Sequence, residues 1–411
     1  MPEDRIPGEV VASVVPWLHR QALEGVDAGT ILEGLCLRLS AGGLNLERAV
    51  VGFLVFHPQF DGINFSWDRH AGGAERHAVT RAEILRSAPS PFFHMQCTGT
   101  EELRYRLEDV GVPLPFPMLE QFRARGLTDY LAFFQPFGGA ADPRLWPELP
   151  EGVVVRDGIT GSFATARAGG FGEDGLATLR ALVPPLAVAV KTVAVHEMAE
   201  TILGTYLGAA SGRSVLRGQV RRGQGRVIHA VVWHSDLRGS TALAESVPLE
   251  TYLAALNAYY DCVVEAVAAE GGEVLKLIGD GVLAMFPFEA GTGAGAEAGR
   301  RALAAARDAL DRLAEVNARR SEAGTAELRC GIALHAGDIM HGNVGSARRL
   351  DFTVTGTAVN EVCRLEAQCK TLGVPLVISD VAASLYGGPL QSLGLHELRG
   401  VGRTIEAFAL P

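Results

Sequence analysis

The alternation of apolar and polar positions divides the chain into two patterned halves with a basic, glycine-containing stretch between them. In the first half, residues 13–40 repeat apolar side chains at helical spacing (Trp17, Leu18, Ile31, Leu32, Leu35, Leu39) until Ala41-Gly42-Gly43 stops the pattern. Strand-like runs at 49–56, 130–134, 152–155 and 161–165 follow, separated by irregular, Pro-rich sequence. Gly172, with Glu173 and Asp174 in the first turn, opens a long helical pattern through Leu176, Leu179, Leu182, Val188 and Val195 towards Leu207.

Residues 211–226 hold five arginines (Arg213, Arg217, Arg221, Arg222, Arg226), four glycines and no acid, which marks a domain boundary. The segment reads either as a solvated connector or as a relay whose arginines touch phosphates or a partner subunit. The division expected is 1–210, a connector over 211–227, and 228–411.

From His229 the pattern is denser. It predicts a strand at 230–234, a helix after Pro248, a hairpin over 273–286, a helix at 296–319, a strand at 328–334 and a strand pair near 349–355. A short helix at 358–372, a strand at 375–378 and two closing strands complete an α+β (α/β sandwich) architecture, with helices packed on one mixed sheet. Leu249, Leu253, Leu256, Tyr260, Val263, Val264 and Val267 fall on one helical stripe and predict a core face. In the hairpin, Gly279-Asp280-Gly281 joins two apolar runs, and glycine supplies the positive φ the tip needs. Lys276 alternates with Val274 and Ile278, so it is expected to share their face. A buried ammonium is costly unless something accepts its hydrogen bonds, so Lys276 either snorkels out or awaits a ligand.

With 411 residues and 48% hydrophobic content, the chain is long enough for two cores. A formal net charge of -10 argues against nucleic acid or an anionic membrane as main partner, and leaves a small phosphate ligand open. The six cysteines form no C-x-x-C pair and no zinc-ligand spacing, which fits a reducing cytoplasm. Glu3 and Asp4 stand where a signal peptide would be basic. The most apolar stretch, 181–195, contains Pro184, Pro185 and Lys191 and falls short of the roughly 20 residues of a spanning helix, so a buried helix is expected and no membrane span.

Two carboxylates carry candidate chemistry. Asp236 ends the strand at 230–234 and Asp280 sits at the hairpin tip. Carboxylates at neighbouring strand ends can hold two divalent ions about 3.5 to 4 Å apart, an arrangement suited to in-line displacement at phosphorus. Singly, each also has an ordinary role, in a turn or as a helix cap.

The surrounding residues resemble a family. Ser235-Asp236-Leu237-Arg238-Gly239, Lys276 four residues before Asp280, the run from Asp351 to Asn360 (DFTVTGTAVN), Arg364-Leu365-Glu366 and Leu398-Arg399-Gly400 stand in the order found in class III nucleotidyl cyclase catalytic domains. The resemblance covers residues 228–409. It implies that Asp236 and Asp280, with the Leu237 carbonyl, bind two divalent cations (Mg2+ or Mn2+). Asn360 would orient the ribose and Arg364 would stabilise charge on the α-phosphate. Arg348 and Arg399 align more loosely with triphosphate-holding positions. Lys276 and Thr353 stand where the base is selected; lysine with threonine resembles the class IIIb subgroup and implies ATP as substrate and stimulation by bicarbonate. The family works as a homodimer with active sites at the interface, Lys276, Thr353, Asn360 and Arg364 facing the metal ligands of the other chain. Ser240 replaces a common aromatic, with looser packing expected beside Asp236, and Gly356-Thr357 lacks a common acid.

The function implied is conversion of ATP to 3′,5′-cyclic AMP and pyrophosphate. A degenerate nucleotide-binding regulator and a guanylate cyclase are the alternatives. The first half resembles GAF-type sensors in element order and in Gly169-Gly170-Phe171 before its exit helix, with an unknown signal; a dimerising module without a ligand is the other reading. Gly293-Ala294-Gly295-Ala296-Glu297-Ala298 matches a relaxed dinucleotide fingerprint without the following acid, and no P-loop is present. His229, His234, His335 and His341 lack paired metal spacing and read as structural or surface residues.

Overall fold

Gly25-Val26-Asp27 interrupts the helical pattern of residues 13–40 in the computed structural model, which describes residues 7–86, 89–109, 111–140, 156–289, 291 and 293–411. The single helix expected there is two, α1 (Pro7–Glu24) and α2 (Ala28–Ala41). The Asp27 carboxylate accepts from Thr30 N at 2.9 Å, capping α2 and satisfying a backbone donor that a helix start leaves unpaired. By its internal contacts the chain divides into Met1–Ile202 and Leu203–Pro411.

The first unit continues with β1 (Leu46–Leu54), β2 (Gly62–Asp68), β3 (Ala74–Val79), α3 (Arg81–Arg86), α4 (Pro91–Thr98), β4 (Glu102–Arg106), α5 (Pro117–Ala124), β5 (Asp129–Ala140), β6 (Arg156–Thr165) and α6 (Gly172–Leu207). Its six strands form an antiparallel sheet in the order β3-β2-β1-β6-β5-β4. The run at 130–134 is apolar throughout because both faces are covered: Leu131 and Phe133 pack with α1, α2 and α6, while Tyr130, Ala132 and Phe134 pack with α4 and α5. The sequence pattern does not reveal β2, β3 and β4. Two of these, β3 and β4, are sheet edges whose residues are half-solvated and mixed in polarity. The strand expected at 152–155 lies outside the described residues.

The stretch 181–195 proves to be the middle of the 36-residue α6, so its shortness is no argument against a span. Helix α6 is long and apolar enough to cross a membrane by length and composition. Its Leu179, Leu182, Leu186, Val190 and Val193 belong to the core of the first unit, whereas Val188 and Val195 are exposed. The entry to α6 is fixed by Asp129, fully buried and paired with Arg104 at 2.8 Å. The same carboxylate accepts from Phe171 N at 3.2 Å, and Gly170 (φ +75) lies so close to it that any side chain would clash. That contact accounts for Gly170, whereas Gly169 has open space around it and a positive φ of +82.

The second unit contains α7 (Ala209–Leu216), β7 (Gly225–Leu237), α8 (Ser240–Ser246), α9 (Leu249–Ala269), β8 (Glu273–Ile278), β9 (Gly281–Phe288), α10 (Ala294–Glu322), β10 (Cys330–Gly345), β11 (Leu350–Thr355), α11 (Thr357–Leu372), β12 (Leu376–Ser379), α12 (Asp380–Tyr386), β13 (Gln391–Glu397) and β14 (Thr404–Ala409). The sheet runs β13-β14-β12-β10-β7-β9-β8, with β11 paired to β10 off this path. Only the β10/β12 pair is parallel, so the sheet is mixed and mainly antiparallel, and the fold is α+β. Helices α9, α10 and α12 cover one face, α11 the other. Residues 211–227, expected as a connector, contain most of α7 and the first residues of β7.

The stripe expected on α9 is displaced. Leu249 and Leu253 are exposed, and the buried face is Ala255, Tyr259, Cys262, Val263, Ala266 and Val267. It meets Ala298, Ala302, Ala305 and Ala306 of α10, where small residues let the helices approach, so side-chain size misleads about which face is inside.

Candidate active site

Strand β7 lies between β9 and β10, and its end carries Asp236 opposite Gly281 on one side and Gly331 on the other. Neither neighbour has a side chain to crowd the carboxylate. On the other side of the β7/β9 pair, Gly279 (φ +63) and Asp280 form the two-residue turn between β8 and β9. Gly279 supplies the positive φ expected at the tip. The turn is tied to the end of β7: Leu237 N donates to the Asp280 carbonyl at 3.2 Å, and the Tyr260 hydroxyl donates to the Gly279 carbonyl. Ser240, where looser packing was expected, donates its hydroxyl to the Asp280 carboxylate instead.

The structure thus brings the two carboxylates together. Burial, and then the charge of Asp280, push the Asp236 carboxyl above its usual range, with Arg238 acting against them. A pair that penalises its own charge in this way fits a divalent cation, whose charge would remove the penalty. No group of three or more His, Cys, Asp or Glu side chains suited to a metal occurs among the described residues. Mg2+ and Mn2+ need none, because one or two carboxylates completed by a carbonyl, water and substrate phosphate suffice.

Arg238 turns inward to Glu366 of α11, its guanidinium 2.6 Å from the carboxylate and 3.1 Å from the backbone carbonyl. A side chain at Gly331 would occupy the space of both groups. Burial raises the Glu366 carboxyl from 4.5 to about 7 despite Arg238, with Asp236 and Asp280 adding to the rise. A carboxyl raised in the folded state contributes stability that is full at low pH and lost as pH rises through the folded value. Replacing Glu366 by Gln removes this titration. Relative to E366Q, the wild type is expected to lose thermal stability between pH 4.5 and 7, and melting curves across that range check it.

The position of Lys276 corrects the alternation argument. Val274 pairs with Ala284 and Lys276 with Leu283, so Leu275 is an extra residue, a β-bulge. The slip moves Lys276 off the face of Val274, which packs towards α9 and α10, and onto the face of Leu283 and Leu275, which packs towards α11. There the ammonium, on a side chain 40% exposed, donates to Asp351 of β11 at 2.7 Å. Thr353 stands two residues along β11 from Asp351, on the side away from the buried Phe352 and Val354.

Asn360 and Arg364 are both exposed, opposite the buried Ala358, Val362, Leu365 and Cys369 of α11. Gly400 (φ +72) backs Arg364, its Cβ position 3.4 Å from the guanidinium. Arg399 beside it is exposed, as is Arg348 in the turn between β10 and β11. The start of α11 is fixed by residues that form no motif along the chain. His335 of β10 meets Glu361 at 3.1 Å and Ser379 at 2.8 Å, and Arg403 bridges Glu361 at 3.2 Å and Asp380 at 3.0 Å. Burial lowers the His335 pKa, with Glu361 opposing it. His335 is structural, as expected. His341 is also buried, within 3.5 Å of the Ser211 hydroxyl, while His229 is exposed and pairs with Asp338.

A cavity of about 990 Å³ adjoins the carboxylates, lined among others by Asp236, Asp280, Arg238, Ser240, Asn317 and Lys370. Lys276, Thr353, Asn360 and Arg364 do not line it. Residues 226–408 match the family described as the adenylate and guanylate cyclase catalytic domain.

This segment carries a class III cyclase catalytic domain.

An uncharacterised protein of Mycobacterium tuberculosis is 33% identical over 184 residues, 45% of this chain and 32% of that protein. An adenylate cyclase of Anabaena cylindrica is 31% identical over 147 residues, 35% of this chain and 28% of its own length. The match thus spans about a third of these curated relatives. Among solved structures, the adenylyl cyclase CyaB of P. aeruginosa is 22% identical, with a TM-score of 0.41, covering 45% of this chain and 94% of that one. Asn360 and Arg364 thus stand outside the lining of the cavity that holds the carboxylates, although Cys369 and Lys370 of the same helix line it.

Proposed function

We propose that the chain is an adenylate cyclase converting ATP to 3′,5′-cyclic AMP and pyrophosphate. The observation that carries this reading is the pair Asp236 and Asp280, like charges brought close together where β7 ends and β9 begins. With the Leu237 carbonyl they would hold two Mg2+ or Mn2+ ions, which supply activation of the ribose 3′-hydroxyl and charge neutralisation at the leaving pyrophosphate. Asn360 orients the ribose, and Arg364 places a cation beside the α-phosphate where negative charge grows in the transition state. Arg348 and Arg399 steady the triphosphate. Lys276 donates to adenine N1 while Thr353 accepts from the exocyclic amine.

These groups come from two chains in a homodimer with two equivalent sites under two-fold symmetry. Supporting this, Asn360 and Arg364 face solvent in one chain and do not line the carboxylate cavity. Residues 1–210 form a GAF-type regulatory module responding to a signal, 211–227 the connector and 228–411 the catalytic domain, working in the cytoplasm. Helices enclosing an antiparallel sheet and the long exit helix α6 support that part of the reading.

Purified full-length protein with Mn2+ and either ATP or GTP tests it, with 3′,5′-cyclic AMP the main product expected. A parallel arm at fixed pH with bicarbonate is expected to run faster. Absence of cyclic product from both nucleotides would overturn the enzyme reading in favour of a nucleotide-binding regulator, and a preference for GTP would overturn the adenylate assignment.

A further inference from the structure

The chain leaves β7 as Asp236-Leu237-Arg238, so a permanent positive charge follows closely on a carboxylate suited to a cation. Arg238 lines the same cavity as Asp236 and Asp280, and its charge already works against the rise of the Asp236 carboxyl. A guanidinium free to turn would pair with either carboxylate through a fork of two hydrogen bonds and occupy the oxygens that a divalent cation needs. The structure shows it turned away from them. We propose that Glu366 is a positioning residue for the cation site, holding the Arg238 guanidinium off Asp236 and Asp280 and cancelling its charge. The proposal rests on the two-metal part of the reading above.

Three observations carry it. The guanidinium lies 2.6 Å from the Glu366 carboxylate and donates to the Glu366 backbone carbonyl at 3.1 Å, so side chain and main chain of one residue hold it together. With 7% of the Glu366 side chain and 24% of the Arg238 side chain exposed, the pair is a poor source of stability, because desolvating both charges offsets most of their attraction. Room for it is made at Gly331, where a side chain would overlap both groups, and Gly331 stands opposite Asp236 across β10 and β7. One glycine thus leaves space for the carboxylate and for the clasp that keeps Arg238 from it. The Arg238 backbone is fixed separately, its N donating to the Arg329 carbonyl at 2.7 Å. Loss of Glu366 therefore frees the guanidinium without releasing the strand end.

Glutamine at 366 keeps the size of the side chain and removes its charge. Arg238 is then an uncancelled cation, and Asp236 and Asp280 are the acids that line its cavity. Cys369 beside the guanidinium offers no substitute, because burial raises its thiol to about 11 and leaves it neutral. Whether Arg238 swings to the carboxylates or stays in place, its charge opposes a divalent cation between them. Taking Arg238 away as well removes the opposing charge.

The test is calorimetric titration with Mn2+, alone and beside a non-cyclisable ATP analogue, of the full-length wild type, Glu366→Gln, and the double variant Arg238→Met with Glu366→Gln. It is run at pH 8, above the Glu366 value of about 7, so that the wild-type carboxyl is ionised. Glu366→Gln is expected to raise the Mn2+ dissociation constant by about tenfold, the scale of one added charge a few ångströms from a divalent ion. The double variant is expected to recover most of that loss. A merely structural pair behaves otherwise, since removing both partners costs at least as much as removing one. An unchanged dissociation constant in Glu366→Gln, or a double variant as weak as the single one, overturns the proposal. Turnover gives a second readout: excess Mn2+ is expected to recover the rate lost in Glu366→Gln, and a loss that excess Mn2+ leaves in place counts against it. If the wild type makes no cyclic nucleotide, yet binds Mn2+ and the variants behave as expected, the cyclase reading fails and the role of Glu366 stands. If the wild type is active and Glu366→Gln leaves its Mn2+ affinity untouched, the role of Glu366 fails alone. A wild type that binds Mn2+ in neither titration overturns the proposal and the two-metal reading together.

Discussion

Asp280→Ala lowers cyclic nucleotide formation by about a thousandfold or more, roughly 4 kcal/mol of transition-state stabilisation, with ATP and with GTP alike. The size of the effect follows from what surrounds the side chain. Asp280 is one of two carboxylates at adjoining strand ends, and no third acidic, histidine or cysteine side chain joins them in a metal-binding group among the described residues. Loss of either leaves a single carboxylate, and the charge that raises Asp236 goes with it. Substrate turnover is one readout and Mn2+ affinity of the isolated protein a second, expected to fall in parallel. The fold should persist, because the turn is fixed through backbone: Gly279 keeps its positive φ, and Leu237 N still donates to the carbonyl of residue 280. The Ser240 hydroxyl loses its acceptor at a part-buried site, a cost of about 1 kcal/mol that a melting curve will show. Retained turnover in a folded Asp280→Ala protein would remove the two-metal reading.

Mixing Asp280→Ala chains with Arg364→Ala chains, each inactive alone, restores activity to roughly a quarter of wild type. Random pairing makes half of the dimers mixed, and in each of these one of two symmetric sites draws an intact carboxylate pair from one chain and an intact Arg364 from the other. Arg364 alone is expected to contribute about a hundredfold to a thousandfold in kcat, the range for a single group stabilising charge in the transition state. Its exposure on α11, braced by Gly400, and its absence from the carboxylate cavity motivate the prediction. If both groups served the same site from one chain, a mixed dimer would keep one dead subunit of each kind and recover nothing. Assays of co-refolded mixtures across a range of ratios separate the two cases, since recovery through mixed dimers peaks at equal amounts.

Local sequence was informative wherever one residue type has one physical use. The hairpin around Gly279 and Asp280, the strand ending in Asp236 and the helix carrying Asn360 and Arg364 were all legible, because glycine at a turn and helical spacing constrain the backbone directly. The same reasoning failed at Leu275. A bulge depends on how two strands pair, and nothing in Glu-Val-Leu-Lys-Leu-Ile announces it. It failed again on α9, where alanines and Tyr259 line the core and two leucines face outward, because burial there depends on the close approach of α10. The residues that fix the site from behind, Glu366, His335, Glu361 and Arg403, are distant in sequence from their partners and form no motif.

Residue order and spacing alone were enough for the α+β class and the candidate carboxylates, since these follow from short-range periodicity and from residues whose chemistry is tied to their type, whereas Asn360 and Arg364 stood out only through the family resemblance. It took the tertiary structure to place Lys276 on the α11 face with Asp351 as its partner, to bring Arg238 to Glu366, and to leave Asn360 and Arg364 outside the cavity lined by the carboxylates. The physical reason is that a strand's register, and with it the face each side chain occupies, is fixed by pairing energy summed over the whole sheet. A local pattern of apolar and polar residues carries only part of that sum.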